Sequence, residues 1–271
     1  MIRPVDNPSE YVNSLIDLCK QNEIKIIIPV IDPEIDILAK FRDIFIEEGI
    51  FVSVSPQDVL DVCYNKSKMN EFLFQKEFKF PKTYYSLETF EEGIYKNEVQ
   101  FPAMIKPIWG SGSIETYKVE SIEQMKSLWH VDMMIQEFID GQEYGVDVFN
   151  NLEGKPIRCV VKKKITMRSG ETDKALIEKN YDIQAEIIRL ANELKHICNL
   201  DCDVIVKDNL IYVIDLNPRF GGGYPATHMS GVDYLELVLK LAQGETVTED
   251  FMSYNDGILV MKEIKLVTKR I

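Results

Sequence analysis

Apolar and polar positions recur with different periods along the chain, and these changes divide it into three segments. In the first segment, residues 1–64, two apolar runs at 24–32 and 50–54 are each followed by a helical pattern, over 33–49 and from Ser55 onwards. Runs that are apolar on both faces are typical of parallel sheets covered by helices. We therefore predict a parallel α/β layer. Two strands are few for an independent sheet, so we expect it to be the second half of a larger domain.

The middle segment, residues 65–140, has shorter and more mixed patterns. Asn65 is a suitable cap for a short helix that ends near Phe74. Further helical patterns cover 87–96 and 121–130. The predicted strands are 82–86, 102–108, 116–119 and 133–138. Short strands and helices mixed in this way indicate a small α+β unit.

The last segment, residues 141–271, has longer strands and one long amphipathic helix. β-type runs cover 143–151 and 156–167. Apolar residues then recur at helical spacing from 182 to 198. Two further β-type runs over 201–218 predict a hairpin, and the segment as a whole predicts a second α+β unit.

Composition narrows the class of function. The 271 residues are 45% hydrophobic and 28% charged, as in ordinary globular proteins. The formal net charge of −13 argues against a nucleic-acid partner, because phosphate backbones attract basic surfaces. No apolar run has the length of a membrane span, and the first residues lack the apolar core of a signal peptide, so we expect no membrane partner. The five cysteines form no paired motif, which fits a cytoplasmic location.

The stretch VIDLNPRFGGG, residues 213–223, carries the clearest chemical signal. Side chains alternate along a strand, so Val213, Asp215 and Asn217 are expected on one face, with Ile214 and Leu216 packed behind. Counted back across the hairpin, Asp203 is expected beside Asp215. Carboxylate and amide oxygens suit Mg²⁺ that bridges phosphates. The alternative is a solvated polar face of an antiparallel sheet.

Arg219 and three glycines follow this strand directly. An arginine beside a metal site can hold an anionic substrate group, and the alternative is a salt bridge to a neighbouring acid. Two further stretches are weak signals when taken alone. Lys106 precedes a glycine- and serine-rich loop at 110–113, which suits phosphate but is also typical of a hairpin turn. Glu137 and Glu143 flank a glycine turn, which suits a nucleotide but also an ordinary β-turn.

The densest basic stretch of this acidic chain is KKKITMRSGETDK, residues 162–174. We interpret it as a flexible cationic loop that suits a triphosphate or an acyl phosphate. Arg168 and Lys174 are the candidate catalytic side chains in it. The alternative is a solvated run of charges.

In order and spacing, these motifs resemble the ATP-grasp superfamily, and most closely its branch that resembles the carbamoyl-phosphate synthase large subunit. The resemblance rests on IIIPVIDPEIDILA, YNKSKMNEFL, PAMIKPIWGSGSI, IQEFIDGQEYGVDV and CDVIV with VIDLNPRFGGG. It implies an α/β (α+β) ATP-grasp fold in which two α+β subdomains clasp ATP. These would be residues 65–140, the lid, and 141–271, the subdomain with the metal site. Residues 1–64 would be a truncated pre-grasp domain.

The resemblance also implies roles for individual residues. Catalytic roles fall to Arg219, Arg168 and Lys174, with Arg219 holding a carboxylate or acyl phosphate. Metal ligands would be Asp203, Asp215 and Asn217, where Asp replaces the family's Gln or Glu at two positions. Nucleotide-binding positions would be Lys66, Lys106, Gly110, Ser111, Gly112, Ser113, Glu137, Phe138, Ile139 and Glu143.

The implied activity is ligation of a carboxylate to an amine, or to a thiol, through an acyl phosphate. The implied cofactors are ATP and Mg²⁺, with two ions and Mn²⁺ as an alternative metal. The partners would be small-molecule acids and amines, with a homodimer or a partner chain that supplies the missing pre-grasp half. Two alternatives stay open: a non-catalytic or split-enzyme ATP-binding module, and a fragment similar to carbamoyl-phosphate synthase.

Overall fold

Three β-sheets organise the part of the chain that the computed structural model describes, residues 6–110, 115–168, 170–263 and 266–269. The sheets have two, four and six strands. The strands of each sheet come from one of the three segments of the sequence. The helices cover these sheets and leave polar faces toward two adjoining cavities.

The first unit is built on a two-stranded parallel sheet, as the sequence predicts. Its elements are α1 (Pro8–Gln21), β1 (Ile26–Ile27), α2 (Asp32–Lys40), α3 (Arg42–Glu47), β2 (Phe51–Val52) and α4 (Gln57–Tyr64). Apolar side chains such as Val12, Ile35, Phe45 and Leu60 form its core. The strands are shorter than their apolar runs, and the single helix predicted over 33–49 is interrupted at Phe41.

Ser55 is the residue from which the sequence predicts a helix, but the helix α4 begins at Gln57 and Ser55 has a different role. Its hydroxyl accepts a hydrogen bond from the Ile197 N–H at 3.1 Å and donates one to the Ile197 carbonyl at 3.4 Å. Ser55 is fully buried. It therefore joins the first unit to the last one instead of starting α4.

The second unit is a four-stranded antiparallel sheet with three helices. Its elements are α5 (Lys66–Gln75), β3 (Thr83–Tyr84), α6 (Leu87–Tyr95), β4 (Ala103–Pro107), β5 (Tyr117–Val119), α7 (Ile122–Leu128) and β6 (Met133–Glu137), with strand order β3-β6-β4-β5. The Asn65 side chain accepts hydrogen bonds from the N–H groups of Ser67 and Lys68, so it caps α5 as predicted. This cap fixes where Lys66 starts the helix.

The third unit is a six-stranded antiparallel sheet. Its elements are β7 (Gln142–Asn150), β8 (Pro156–Arg168), β9 (Glu171–Ile177), α8 (Tyr181–Leu194), β10 (Cys198–Lys207), β11 (Leu210–Asn217), α9 (Tyr224–Met229), α10 (Tyr234–Ala242) and β12 (Ile258–Met261), with strand order β11-β10-β7-β8-β9-β12. The helix α8 packs on one face through Ile183, Ile187 and Leu190. The helix α10 covers part of the other face, and the rest of that face is polar.

The basic stretch 162–174 is not the flexible loop that the sequence predicts. It forms the hairpin of β8 and β9, in which Lys162 pairs with Ile177 and Lys164 with Ala175. The sequence of β9 is mostly polar, so its apolar residues give little indication of a strand. β9 pairs with β8 on one side and with β12 on the other, and these contacts between distant segments cannot be predicted from local periodicity.

A β-bulge corrects the predicted facing of residues on β11. Asp203 pairs with Asp215 as predicted, but Val204 pairs with Val213, so Ile214 is an extra residue. Val213 and Leu216 consequently both enter the apolar core beneath the sheet. Ile214 lines a cavity on the polar side together with Asp215.

Candidate functional site

A cleft of about 680 Å³ lies between the second and third units, with Asp32 and Pro33 of the first unit at one end. Nine of the residues with a predicted nucleotide or metal role line it: Lys66, Lys106, Gly110, Glu137, Phe138, Ile139, Glu143, Asp203 and Asp215. The structure thus brings together residues that are up to 149 positions apart in the sequence.

Two acidic residues from neighbouring strands meet at the floor of this cleft. Asp203 and Asp215 are directly opposite each other in the hairpin of β10 and β11. Like charges at such positions destabilise strand pairing. Each carboxylate has a lysine partner: Lys164 Nζ lies 2.7 Å from Asp203, and Lys66 Nζ lies 3.3 Å from Asp215. These ion pairs offset the repulsion across the hairpin.

Lys66 and Lys106 are the cations of the cleft that come from the second unit. Lys66 Nζ also donates a hydrogen bond to the Gly110 carbonyl at 2.6 Å, at the start of the predicted phosphate loop. Ser111, Gly112 and Ser113 of that loop lie outside the described residues. Lys106 is buried on β4, and burial lowers its pKa to about 8, although Asp215 acts in the opposite direction.

The predicted adenine-binding stretch lies where β6 ends. Phe138 and Ile139 line the cleft, as predicted for a hinge. One oxygen of the Glu137 carboxylate accepts a hydrogen bond from the Lys82 N–H at 2.8 Å, so this side chain already holds the end of β3. Glu143 is on β7 and lines the wall across from β6.

A second cavity, of about 560 Å³, adjoins the cleft. Asp203, Asp215 and Lys164 line both spaces, so the two meet at the paired carboxylates. Its lining also includes Val30 of the first unit, further residues on the polar face of the six-stranded sheet, and the segment 219–225 with its three glycines. Asn217 lines only this second cavity, on the same strand as Asp215.

Arg219 lines the second cavity and also forms the salt bridge that the sequence left as an alternative. Its Nε lies 3.1 Å from Asp32 of the first unit. Its terminal nitrogens donate to the Phe220 carbonyl at 3.3 Å and to the Asn217 side chain at 3.5 Å. Arg219 therefore connects α2 to the strand that carries the predicted metal ligands.

Arg168 and Lys174 are not among the described residues that line either cavity. Arg168 pairs with Asp173 near the tip of the β8–β9 hairpin. Its neighbour Met167 lines both cavities, and alternation along the strand turns Arg168 to the other side. Lys174 pairs in register with Thr166 and Met261 within the sheet. Both predictions depended on a loop that is in fact a hairpin.

Four charged residues that the sequence interpretation did not single out belong to the same polar face. They are Asp147 on β7, Lys162 and Lys164 on β8, and Asp201 on β10. Their signal was the two-residue spacing of 162 with 164 and of 201 with 203, which places each pair on one face of a strand. Both pairs lie in predicted β-type runs, but the two lysines were assigned to a cationic loop and only Asp203 of the second pair was considered.

Lys162 and Asp147 form a fully buried ion pair beneath the second cavity. Lys162 Nζ lies 2.5 Å from Asp147 Oδ2, and the same oxygen accepts a hydrogen bond from the Thr227 hydroxyl. Tyr234 donates to the Asp147 carbonyl at 3.0 Å. The other carboxylate oxygen, Oδ1, is buried without a hydrogen-bond partner in the described structure. The pair ties α9 and α10 to the sheet.

Asp201 is the remaining acid of this face. Burial, together with the charges of Asp147 and Asp203, raises the pKa of its carboxyl to about 7, while Lys162 and Lys164 act in the opposite direction. It leans against Gly221, where a Cβ atom would lie only 1.9 Å from its Oδ2. Only glycine fits at position 221 with this side chain in place.

The predicted metal ligands have suitable chemistry for Mg²⁺. Asp203, Asp215 and Asn217 supply carboxylate and amide oxygens on adjoining strands. Within the described ranges, no group of three or more His, Cys, Asp or Glu side chains is arranged to hold a metal ion. A set of two acids and an amide falls outside that definition, and Mg²⁺ at nucleotide sites is usually held by few protein ligands together with phosphates. The metal assignment stays a prediction.

Comparison with protein families and known sequences identifies relatives of this site. A family model described as ATP-grasp domain matches residues 63–223, which is more than half of the chain. A second, described as PylC-like, N-terminal domain, matches residues 2–53. D-alanine–D-alanine ligase A of Clostridium perfringens is 29% identical over 135 residues, which cover 43% of this chain and 44% of that ligase.

Solved structures show the same fold. Biotin carboxylase from Campylobacter jejuni, solved in complex with a β,γ-ATP ligand, has a TM-score of 0.74 at 16% identity and covers 88% of this chain and 58% of its own. The biotin carboxylase domain dimer of 2-oxoglutarate carboxylase from Hydrogenobacter thermophilus was solved with MgADP, ADP and bicarbonate. Its TM-score is 0.70 at 14% identity, with 90% and 58% covered. The predicted fold is thereby confirmed.

These matches leave a large part of each relative uncovered. The matched stretch spans 44% of D-alanine–D-alanine ligase A and 58% of each of the two solved chains. In the part of this chain that the structure describes, no helix combines the length and apolar character needed to cross a membrane.

The buried Lys162–Asp147 pair predicts a specific pattern of stability. Asp147→Asn removes the counter-charge of a buried ammonium group, and we expect it to lower the free energy of unfolding by about 3–5 kcal/mol. The double variant Asp147→Leu, Lys162→Met removes both charges and should recover most of that loss. Urea unfolding followed by circular dichroism measures all three proteins.

Glu236→Gln is the matched control, because it breaks an exposed pair with Lys240 on α10. We expect a change below about 0.5 kcal/mol for it. A double variant as unstable as Asp147→Asn alone would show that the two charges do not act as a pair.

Proposed function

The chain belongs to the ATP-grasp family, and from this membership and the arrangement of charges we propose that it is an ATP- and Mg²⁺-dependent ligase. It would join a carboxylate to an amine through an acyl-phosphate intermediate. The strongest support is that two cavities meet at one group of charges, formed by Asp203, Asp215, Lys66 and Lys164. A phosphoryl group moving from a nucleotide in the first cavity to an acid in the second would pass this point.

The cleft has the parts needed to hold ATP. Phe138 and Ile139 offer the end of a strand to the adenine base, and Glu143 offers a carboxylate to ribose hydroxyls. Lys66 and Lys106 are held in place by burial, so they can face phosphates without losing much side-chain freedom. The similarity to the Hydrogenobacter thermophilus biotin carboxylase domain, which was solved with MgADP, supports the choice of nucleotide and metal.

Charge neutralisation is the main chemical task of this site. Mg²⁺ held by Asp203, Asp215 and Asn217 would supply Lewis-acid stabilisation of the transferring phosphoryl group. In the structure, Lys66 and Lys164 face these carboxylates. We propose that they turn their ammonium groups toward phosphate oxygens when the carboxylates bind metal. Transfer then requires positioning and electrostatic stabilisation, and no nucleophilic side chain of the protein takes part.

The second cavity would hold the acid. Arg219 lines it and has a planar guanidinium group that matches a carboxylate or an acyl phosphate. Its bond to Asp32 fixes this group while leaving it at the cavity wall. The similarity to D-alanine–D-alanine ligase A supports an amine as the second substrate.

Removal of the predicted metal ligands tests this proposal. We expect Asp215→Ala and Asn217→Ala each to lower acid-dependent ADP formation by about 100-fold or more, because stabilisation of the transferring phosphoryl group is lost. The acid is chosen from a library of amino acids and dicarboxylic acids, and a coupled ADP assay measures the rate at fixed Mg²⁺. Asp208→Asn, at the exposed turn of the same hairpin, should retain the wild-type rate.

Full Mg²⁺-dependent turnover in both alanine variants would contradict the metal assignment. ATP binding by the wild-type protein without turnover of any acid would favour a non-catalytic nucleotide-binding module.

Lys106 predicts how ATP binding depends on pH. Because its pKa is about 8, its ammonium form is complete well below that pH and is lost as pH rises through it. Phosphates favour the charged form, so we expect ATP affinity to be constant up to about pH 7, to be lower by about twofold at pH 8, and then to fall by up to about tenfold per pH unit. Isothermal titration calorimetry measures the dissociation constant.

Lys106→Met should bind ATP more weakly and show no break near pH 8. Lys126→Met, which removes an exposed ammonium group on α7, should keep the wild-type profile. A break that persists in Lys106→Met would assign it to another group.

A further inference from the structure

The cations around the second cavity are already matched with acids. Lys162 pairs with Asp147, Lys164 with Asp203, and Arg219 with Asp32. Asp215, which lines the cavity as well, pairs with Lys66. Among the described residues that line this cavity, one acid is left over from these pairs, and it is Asp201.

The Asp201 carboxylate has electrostatic neighbours but accepts no hydrogen bond from the described residues. The amide of Asn217, its partner across the strand pair, donates to the Asp201 backbone carbonyl at 3.4 Å and not to its side chain. The side chain rests on Gly221 at the cavity wall. Asp201 is half-buried, so its carboxylate can accept hydrogen bonds from a ligand in this cavity.

The position of Asp201 along its strand fits a second substrate. Asp201 and Asp203 lie on the same face of β10, two residues and therefore roughly 7 Å apart. Asp203 lines both cavities, whereas Asp201 lines only the second one, where it lies against Gly221. If an acyl group is activated at Asp203 and Asp215, its reactive carbon would lie between these two carboxylates and Asp201.

We propose that Asp201 binds the amino group of the amine substrate in the second cavity, beside the acid held at Arg219, and so makes the part of this cavity next to Gly221 selective for a primary amine. The inference rests on the proposed ligase function and identifies the class of its second substrate. An amine with its two or three N–H donors supplies the hydrogen bonds that the Asp201 carboxylate lacks. A thiol supplies one weak donor, and an anionic group would be repelled.

The transfer step balances without a proton on Asp201. The amine arrives as an ammonium ion and releases one proton to solvent. Its nitrogen lone pair forms the C–N bond as the C–O bond to phosphate breaks, and the phosphate leaves with that electron pair. The second proton from nitrogen goes to the departing phosphate, while the carboxylate of Asp201 keeps an N–H donor oriented toward it.

Hydroxylamine separates the two halves of the reaction, because it traps an acyl phosphate without needing a site for an ammonium ion. We expect Asp201→Asn to form acyl hydroxamate from the best library acid at a rate within about twofold of wild type. With amino acids and propylamine as acceptors, its KM for the amine should rise by about tenfold or more, with a smaller change in kcat. Asp208→Asn is the control with the same chemical change at an exposed site.

A binding measurement tests Asp201 independently of turnover. In the presence of ADP and Mg²⁺, propylammonium should raise the melting temperature of the wild-type protein, and propanol should not. Asp201→Asn should lose this shift. Gly221→Ala, which forces the carboxylate away from its position, should raise the KM for the amine as Asp201→Asn does.

The outcomes distinguish the two proposals. If the wild-type protein forms no hydroxamate with any acid, the ligase function fails, while the propylammonium shift still reports on Asp201. An unchanged KM for the amine in Asp201→Asn would overturn the assignment of Asp201. Loss of hydroxamate formation in that variant would also overturn it, because Asp201 would then act in the ATP-dependent half.

Discussion

Repulsion among carboxylates on one face of the six-stranded sheet is the constraint on which the rest of the structure depends. Asp203 faces Asp215 across one strand pair, and Asp201 faces Asp147 across the next. Acids directly opposite each other oppose sheet formation. The strands keep this register because the apolar side chains of their other face pack against α8, and because lysines neutralise most of the acids.

The sources of these lysines explain why the protein has three connected units. Lys162 and Lys164 come from β8 of the same sheet, and Lys164 reaches Asp203 across β7, whereas Lys66 comes from the first turn of α5 in the second unit. Arg219 in turn reaches Asp32 in the first unit. Each unit therefore contributes a charge to the same place, and relative movement of the units would change which charges are neutralised. Because the lysines come from separate elements, the carboxylates can exchange them for a metal ion, and the lysines can then bind phosphate.

The sequence predicted the parts of this arrangement that local pattern determines. The cap at Asn65, the hairpin and the opposition of Asp203 and Asp215 follow from periodicity and turn chemistry, and the structure has all of them. The order and spacing of short motifs were enough to predict the family.

What could not be predicted depends on contacts between distant segments. The strand β9 is polar and is held by neighbours on both sides, so its stretch was interpreted as a loop. As a consequence, Lys162 and Lys164 were overlooked and Arg168 and Lys174 were proposed instead. The bulge at Ile214 adds one residue to a strand, which no two-residue period anticipates. Asp201 becomes notable only once the partners of its neighbours are known.

Transfer of a labelled oxygen tests the central claim most directly, namely that the two cavities exchange a phosphoryl group at the paired carboxylates. The acid substrate is labelled with oxygen-18 in its carboxylate, and the phosphate released with the amide is analysed by mass spectrometry. An acyl-phosphate mechanism predicts one labelled oxygen in each phosphate formed. Unlabelled phosphate would show that water attacks ATP instead, and would contradict the account.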